Sequence, residues 1–235
     1  MPPTYVIAEL GIAHEGDRDT WRRLIDVAVE AGADAIKGQY WSDSLKMATH
    51  RGRGGDAAWF EHYRMPAEWL HDIPTSVEAM CTVYLREDVM KIAPLTHRRK
   101  VGSWESSRSD DLLLDWFWHD ESAPIVVSTG GWSHAQLNGR RRHKRFEYLH
   151  CIPQYPTLAK EMALSMIHRY GLHGFSDHTG WWETGARAVL AGAQIIEAHV
   201  MLNCTPETNP DYAVSLVPAA FDMYVQRIRE AETWM

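Results

Sequence analysis

Only three cysteines, Cys81, Cys151 and Cys204, occur in 235 residues. Odd in number and widely spaced, they offer neither a disulfide framework nor a zinc-ribbon pattern, and a cytoplasmic setting fits them. No stretch approaches the roughly 18 uninterrupted apolar residues of a membrane helix, so no membrane partner is expected. The N-terminus, Met1-Pro2-Pro3-Thr4, enters a strand-like run at once, without the basic and apolar regions of a secretory leader. Positive charge is in deficit: the net charge is −7, which argues against a general nucleic-acid binder. The one basic run, Arg140-Arg141-Arg142-His143-Lys144-Arg145, precedes an apolar segment and reads as a solvated turn away from any catalytic rim. No short-period repeat, linker or composition break divides the chain, so a single domain over 1–235 is expected.

Apolar content is 45% and charged content 23%, ordinary for a globular protein. Histidine is plentiful, with 13 residues, and two of these stand out. Gly174-Phe175-Ser176-Asp177-His178-Thr179-Gly180 and Glu197-Ala198-His199 each continue a short apolar run and deliver an imidazole at its C-terminal end. An amphipathic segment of helix length, 181–192, separates them. Two neutral imidazoles at one rim suit a borderline divalent metal.

The whole chain repeats this alternation. Strands are expected at 5–10, 33–40, 76–82, 99–103, 124–129, 145–151, 174–176 and 193–199. Helices are expected from Asp19 or Thr20 to Gly32, then at 57–71 (interrupted by Pro66), 85–93, 110–118, 133–137, 158–170, 183–191 and 217–233. Residues 42–56, polar and rich in glycine, read as a long loop. Eight strands alternating with helices in roughly 250 residues predict a (β/α)8 TIM barrel. A doubly wound open sheet is the alternative architecture.

In such a barrel the C-terminal strand ends carry the chemistry, and here those ends are polar. Lys37 and Lys100, with Thr82, Ser103 and Ser176, have the charge and hydroxyls to hold a phosphate. His178 and His199 can hold a metal that polarises a carbonyl. Glu9 and Glu105 can orient water or move protons. Ser128, Thr129, His150, Tyr155 and Glu197 sit at the same rim.

With these residues goes a resemblance to the N-acetylneuraminate (sialic acid) synthase family, which condenses phosphoenolpyruvate with an amino-sugar aldehyde. Its matching pieces run from Ile7-Ala8-Glu9-Leu10-Gly11-Ile12-Ala13-His14-Glu15-Gly16-Asp17 through Lys37-Gly38-Gln39, Cys81-Thr82, Lys100-Val101-Gly102-Ser103-Trp104-Glu105, Ser128-Thr129-Gly130, Leu149-His150-Cys151 and Tyr155-Pro156-Thr157. They continue through the two histidine motifs to Asn209-Pro210-Asp211 and Ser215-Leu216. The resemblance implies that His178 and His199 bind the metal, Mn2+ or Mg2+. It implies that Thr82, Lys100, Ser103 and Ser176 hold phosphoenolpyruvate, and that Glu9, Lys37, Gln39, Tyr155 and Asp211 face the aldehyde. Glu105 then lies beside the reacting centre. The product would be a sialic acid-like 2-keto-3-deoxy acid with release of phosphate, and the partner a second copy of the chain, as a dimer. A related 3-deoxy sugar acid synthase and a non-catalytic binding or assembly protein are the alternatives.

The sequence also departs from the family. Gly38 stands where phenylalanine is usual, Trp104 where a small residue is, Ala198 where a basic residue is, and Pro153 where a small polar phosphate ligand is. The family's C-terminal antifreeze-like domain, which brings an arginine to the sugar, is not expected within this chain. Residues 42–56 are therefore expected to cover the mouth, with Arg51 or Arg53 reaching the acceptor.

Overall fold

Strand β1, Tyr5–Gly11, begins the computed structural model, which describes residues 2–108, 113, 117, 123–139 and 144–235. Then come β2 (Ala35–Tyr40), β3 (Glu78–Val83), β4 (Arg98–Val101), β5 (Ile125–Ser128), β6 (Phe146–Cys151), β7 (Gly174–Asp177) and β8 (Ile195–Val200). Each strand pairs in parallel with the next, and β1 pairs with β8 from Tyr5↔Ile195 to Glu9↔His199. The sheet therefore closes into a (β/α)8 TIM barrel, and the open-sheet alternative is excluded. Strand boundaries fall within two residues of the sequence expectation. A two-residue strand, β9 (Ser215–Leu216), pairs with β8 from His199, where β1 ceases to pair. It is too short to leave a periodic signal.

Side-chain alternation with a period of two sorts every strand. Ile7, Ala35, Met80, Val126, Leu149 and Ile195 form an apolar layer inside the barrel. Two residues further along the same strands come Glu9, Lys37, Thr82, Ser128, Cys151 and Glu197, all buried. The intervening residues, among them Ala8, Ile36, Cys81, Val127, Phe175 and Ala198, pack outward into the core under the helices. The opposite mouth is stoppered by Arg98, which pairs with Glu78 and Glu147 and lies over the Tyr5 ring.

Helix α1, Arg18–Glu30, starts just ahead of the expected Asp19 or Thr20 cap. Asp17 accepts the Thr20 N–H at 2.7 Å, the geometry of an N-cap. Its buried stripe is Trp21, Leu24, Ile25 and Ala28. The expected loop at 42–56 is a correction: it contains a helix, α2 (Ser44–His50), and a 3-10 turn, Gly54–Asp56. Asp43 caps α2 by accepting the Leu45 and Lys46 N–H groups, each at 3.0 Å. Met47 and Ala48 then pack into a satellite core with Ile12, Trp41, Phe60 and Tyr84.

Helix α3 is Ala57–His62, and beyond Pro66 only a 3-10 turn, Ala67–Asp72, continues it. Then follow α4 (Val89–Ile92), α5 (Ser103–Ser107), α6 (His134–Gly139), α7 (Ser165–Tyr170), α8 (Thr184–Leu190) and α9 (Pro218–Glu232). The expected helix at 158–170 is broken: Ala159–Glu161 is a 3-10 turn, and Ala163 takes a positive φ of 47° before α7. The helix expected at 110–118 and residues 140–143 of the basic run lie outside the described residues, Leu113 and Phe117 excepted. No helix among the described residues is long and apolar enough to cross a membrane.

His14 ties the β1–α1 turn to the core. It is fully buried, its Nδ1 accepts the Gly16 N–H at 3.0 Å, and its ring meets the edges of Trp21 and Trp69. Burial, aided by repulsion from His62, pushes the imidazole down to about 4. The unfolded chain takes up this proton near pH 6.5, so stability is complete above that value and is lost as the pH falls toward 4. Between pH 7.5 and 5 this one group should remove about 2 kcal/mol. Urea unfolding of the parent and His14→Asn at both values checks this: the variant should lose less stability on acidification by about that amount, and parallel losses would refute it.

Candidate active site at the C-terminal mouth of the barrel

Glu9, Lys37, Gln39, Thr82, Lys100, Ser103, Glu105, Tyr155, Ser176, His178 and His199 line one cavity of about 250 Å³ at the C-terminal strand ends, while Thr129 and Asp211 do not. Asp211 stands just behind it, with Oδ2 3.5 Å from Nδ1 of His199. His150 does not reach the cavity. It lies on the outward parity of β6 and bonds the Met162 carbonyl through Nε2 at 2.8 Å.

Four buried charges form the floor. Lys37 Nζ lies 2.5 Å from Glu9 Oε2, 3.7 Å from Glu197 Oε2, and donates to Thr82 Oγ1 at 2.7 Å. Lys100 donates to both oxygens of Glu197, at 2.8 and 3.0 Å, and Ser176 donates to Glu197 Oε1 at 2.9 Å. Burial alone would lower Lys37, but the Glu197 and Glu9 carboxylates hold it above its usual value. Burial likewise favours a protonated Glu197, yet the Lys100 and Lys37 ammoniums keep it well below the ordinary carboxylate range. Gln39 completes the floor, donating to Glu9 at 2.6 Å and accepting from the Tyr84 hydroxyl at 2.6 Å.

One wall is α5. Ser103 receives the Gly130 N–H at 3.2 Å and donates to Cys151 Sγ at 3.3 Å. Glu105 is buried, and its Oε1 lies 3.2 Å from His50 Nε2 and 3.1 Å from Arg51 Nη2. Its Oε2 has no hydrogen-bond partner among the described residues. The segment after β2 thus does reach the mouth, through α2 rather than as a free loop. Arg51 lies over Tyr84 and Trp104, at 4.9 and 5.6 Å. Arg53 does not line this cavity; it pairs with Asp56 at 2.8 Å and lies over Trp59.

The two histidines lie with ring centroids 5.5 Å apart. His178 Nδ1 contacts the Ile152 carbonyl at 3.0 Å, which can only accept, so Nδ1 carries the proton and Nε2 is the lone-pair nitrogen. Tyr155 donates to that Nε2 at 2.9 Å. Burial lowers His199, but the Asp211 carboxylate at Nδ1 more than offsets it, and Asp211 is lowered in return. Each imidazole is therefore oriented through Nδ1 by an oxygen, the pattern that aims Nε2 at a metal. No group of three or more His, Cys, Asp or Glu ready to hold an ion occurs among the described residues.

Gly11 lets Asp211 come this close. Its φ is +49°, and a Cβ there would lie 2.5 Å from Asp211 Oδ2. Gly38, the departure from phenylalanine, has an equally local cause. It points outward between Lys37 and Gln39, and a Cβ would meet Met65 Sδ at 2.9 Å and Trp21 at 3.1 Å. Met65 occupies the room a larger residue would need. Ala198 faces the outer core, while Pro153 and Trp104 line the cavity. Glu197 is the residue whose part the sequence reading missed. It lies two residues before His199 on one strand, and that spacing alone put both on the inner face.

The family model that matches residues 24–235 is that of the NeuB family. The chain belongs to the NeuB family. Its relatives include the pseudaminic acid synthase of Campylobacter jejuni, 28% identical over 97% of this chain and 74% of that protein. Another is the N-acetylneuraminate-9-phosphate synthase of Homo sapiens, 25% identical over 98% and 70%. Among solved structures, the N-acetylneuraminic acid synthetase of Leptospira borgpetersenii superposes with a TM-score of 0.85 over 99% of this chain and 85% of its own, at 22% identity. That likeness concerns the fold. The relatives from Campylobacter jejuni and Homo sapiens are named as synthases of sugar acids.

Glu197→Gln removes the charge that two buried ammoniums share. Breaking a buried pair from one side costs about 3–5 kcal/mol, and denaturant unfolding at pH 7 should register a loss of that order. A loss below about 1 kcal/mol, typical of exposed pairs, would mean that water already solvates Lys37 and Lys100.

Proposed function

We propose that the chain joins carbon 3 of phosphoenolpyruvate to the carbonyl carbon of a sugar-like aldehyde, forming a 2-keto-3-deoxy acid and phosphate. The observation that carries this reading is the pair of buried ammoniums, Lys37 and Lys100, in one cavity with the hydroxyls of Thr82, Ser103 and Ser176. Those groups suit a phosphate and a carboxylate on one small molecule. A binding scaffold gains little from burying four charges, since such pairs seldom add stability; a site for a charged substrate needs them.

In the reaction the enol double bond supplies the electron pair for the new C–C bond, and the aldehyde oxygen takes a proton. Water then adds at carbon 2, and phosphate departs by C–O cleavage. Glu105 is the group for the water: Oε1 is fixed by His50 and Arg51, and Oε2 has a lone pair to give. Glu9, held by Lys37 and Gln39, faces the aldehyde with Tyr155. The floor is electrically balanced, with Glu9 and Glu197 against Lys37 and Lys100, so a polyanionic substrate calls for further positive charge. Nε2 of His178 and Nε2 of His199 would hold a divalent ion, Mn2+ or Mg2+. A metal bound there polarises the aldehyde carbonyl. Tyr155, half-exposed and hydrogen-bonded to His178 Nε2, would have to release that nitrogen.

Phosphate release in mixtures of the protein, phosphoenolpyruvate, Mn2+ and a panel of sugar aldehydes tests the reading; no release with any of them sinks it. Lys100→Ala should weaken phosphoenolpyruvate binding by one to two decades, as a charged hydrogen bond is worth roughly 1.5–3 kcal/mol, and unchanged affinity in calorimetry would remove Lys100 from the site. For the metal, elemental analysis should find one divalent ion per chain, absent after His178→Ala with His199→Ala. Full metal content in the double variant would overturn the assignment.

A further inference from the structure

A second chamber of about 500 Å³ lies against the inner cavity, and Gln39, Arg51, Tyr84, Trp104 and Tyr155 line both. Its remaining wall is largely apolar, with Ile12, Trp41, Met47, Trp59, Phe60 and Pro210 beside the charged Arg53 and Asp211. The aromatic rings brace one another: Trp59 lies 4.8 Å from Phe60, and Trp41 lies 5.9 Å from Phe60. The satellite core carrying α2 and α3 thus presents a preformed surface, not a loose flap.

The charged and amide groups of the chamber are already engaged. Gln39 serves Glu9 and Tyr84. Arg51 is bonded to Glu105 and Arg53 to Asp56, and each guanidinium lies over an aromatic ring. Asp211 is held by His199 and the Ile12 N–H. Hydroxyls that met the aromatic and aliphatic part of this wall would leave water without new partners, a net loss. Hydrocarbon entering here leaves water for aromatic and aliphatic walls, a net gain. The inner cavity is polar and has room for phosphoenolpyruvate and the reacting carbons, so the far end of an acceptor extends into the chamber.

We propose that this chamber is an acceptor subsite for an apolar substituent, an acyl or alkyl chain of four or more carbons, on the aldehyde substrate. The inference rests on the condensation reading for what lies in the inner cavity. It separates this site from one built for a small, fully hydroxylated sugar. It also accounts for the bulky Trp104, 44% exposed, which lines both spaces.

The test is calorimetric titration of the full chain with N-acetyl-, N-butanoyl- and N-hexanoylmannosamine as probes. Each methylene that enters the chamber should tighten binding about fourfold, so the affinity rises along the series. Trp104→Ala, a substitution at a half-exposed position that the fold tolerates, should flatten the rise to a few-fold. A flat or falling series in the parent, or no binding by any of the three, overturns the proposal. Phosphate release with the same compounds is read separately. Length-dependent binding without turnover would refute the condensation and leave the chamber standing. Turnover of all three with a length-independent dissociation constant would do the reverse.

Discussion

Lys100 and Glu197 face each other across the inside of the barrel, from β4 to β8, and the other site groups are arranged around that crossing. The pair is held by two hydrogen bonds of 2.8 and 3.0 Å and braced by Ser176. Lys37 then bridges from Glu197 to Glu9 on the neighbouring strand β1. Such a chain of charges survives burial only when every member has a partner of opposite sign. Its placement follows from the layer beneath. Ile7, Ala35, Met80 and Ile195 fill the barrel from wall to wall, so the next inward positions are dry below and open above. Small neighbours at the same level, Thr82, Ser128 and Ser176, leave the long lysines the span they need.

The mouth above this floor is built differently. Glu105 comes from α5, but its orientation is set by His50 and Arg51 on a separate packed unit. That unit has its own small core and its own cap at Asp43. Its Ser44 donates to Glu61 at 2.6 Å, and its Lys46 pairs with Glu87 at 2.9 Å. A carboxylate near the chemistry is therefore held by a module outside the barrel, and changes in that module are felt at Glu105 before they are felt by the floor.

How much of this the sequence disclosed depended on the regularity of the pattern. Strand and helix alternation is long-range and redundant, so the barrel was legible throughout. Residues at strand ends obey the period of two, so Glu9, Lys37, Lys100, His178 and His199 stand out together. The same rule carries Glu197 inward, but a carboxylate next to a histidine motif is overshadowed by the imidazole. Residues 42–56 read as a loop because glycine at 52, 54 and 55 dominates the composition, while the helix before them is only Ser44–His50. Its signal is local: Asp43 ahead of Ser44, then Met47 and Ala48 at helical spacing. The outer chamber has no sequence signature, since Trp41 and Trp59 lie far apart in the segment between β2 and β3 and Trp104 comes from α5 after β4.

Gly11 marks the seam where the barrel closes. At this point β1 bulges out of register, Asp211 moves in against its bare Cα, and β8 has already paired from Tyr5 to Glu9. Everything at the seam joins segments far apart in sequence, β1 with β8 and the residues after it. During synthesis Glu9, Lys37 and Lys100 emerge from the ribosome well before Glu197, His199 and Asp211, and pairings of such long separation form late. Until then the growing sheet has an unpaired β1 edge and a lysine without its carboxylate. A barrel without β8 would expose the β1 edge, and the pairing that covers this edge also assembles the charged rim.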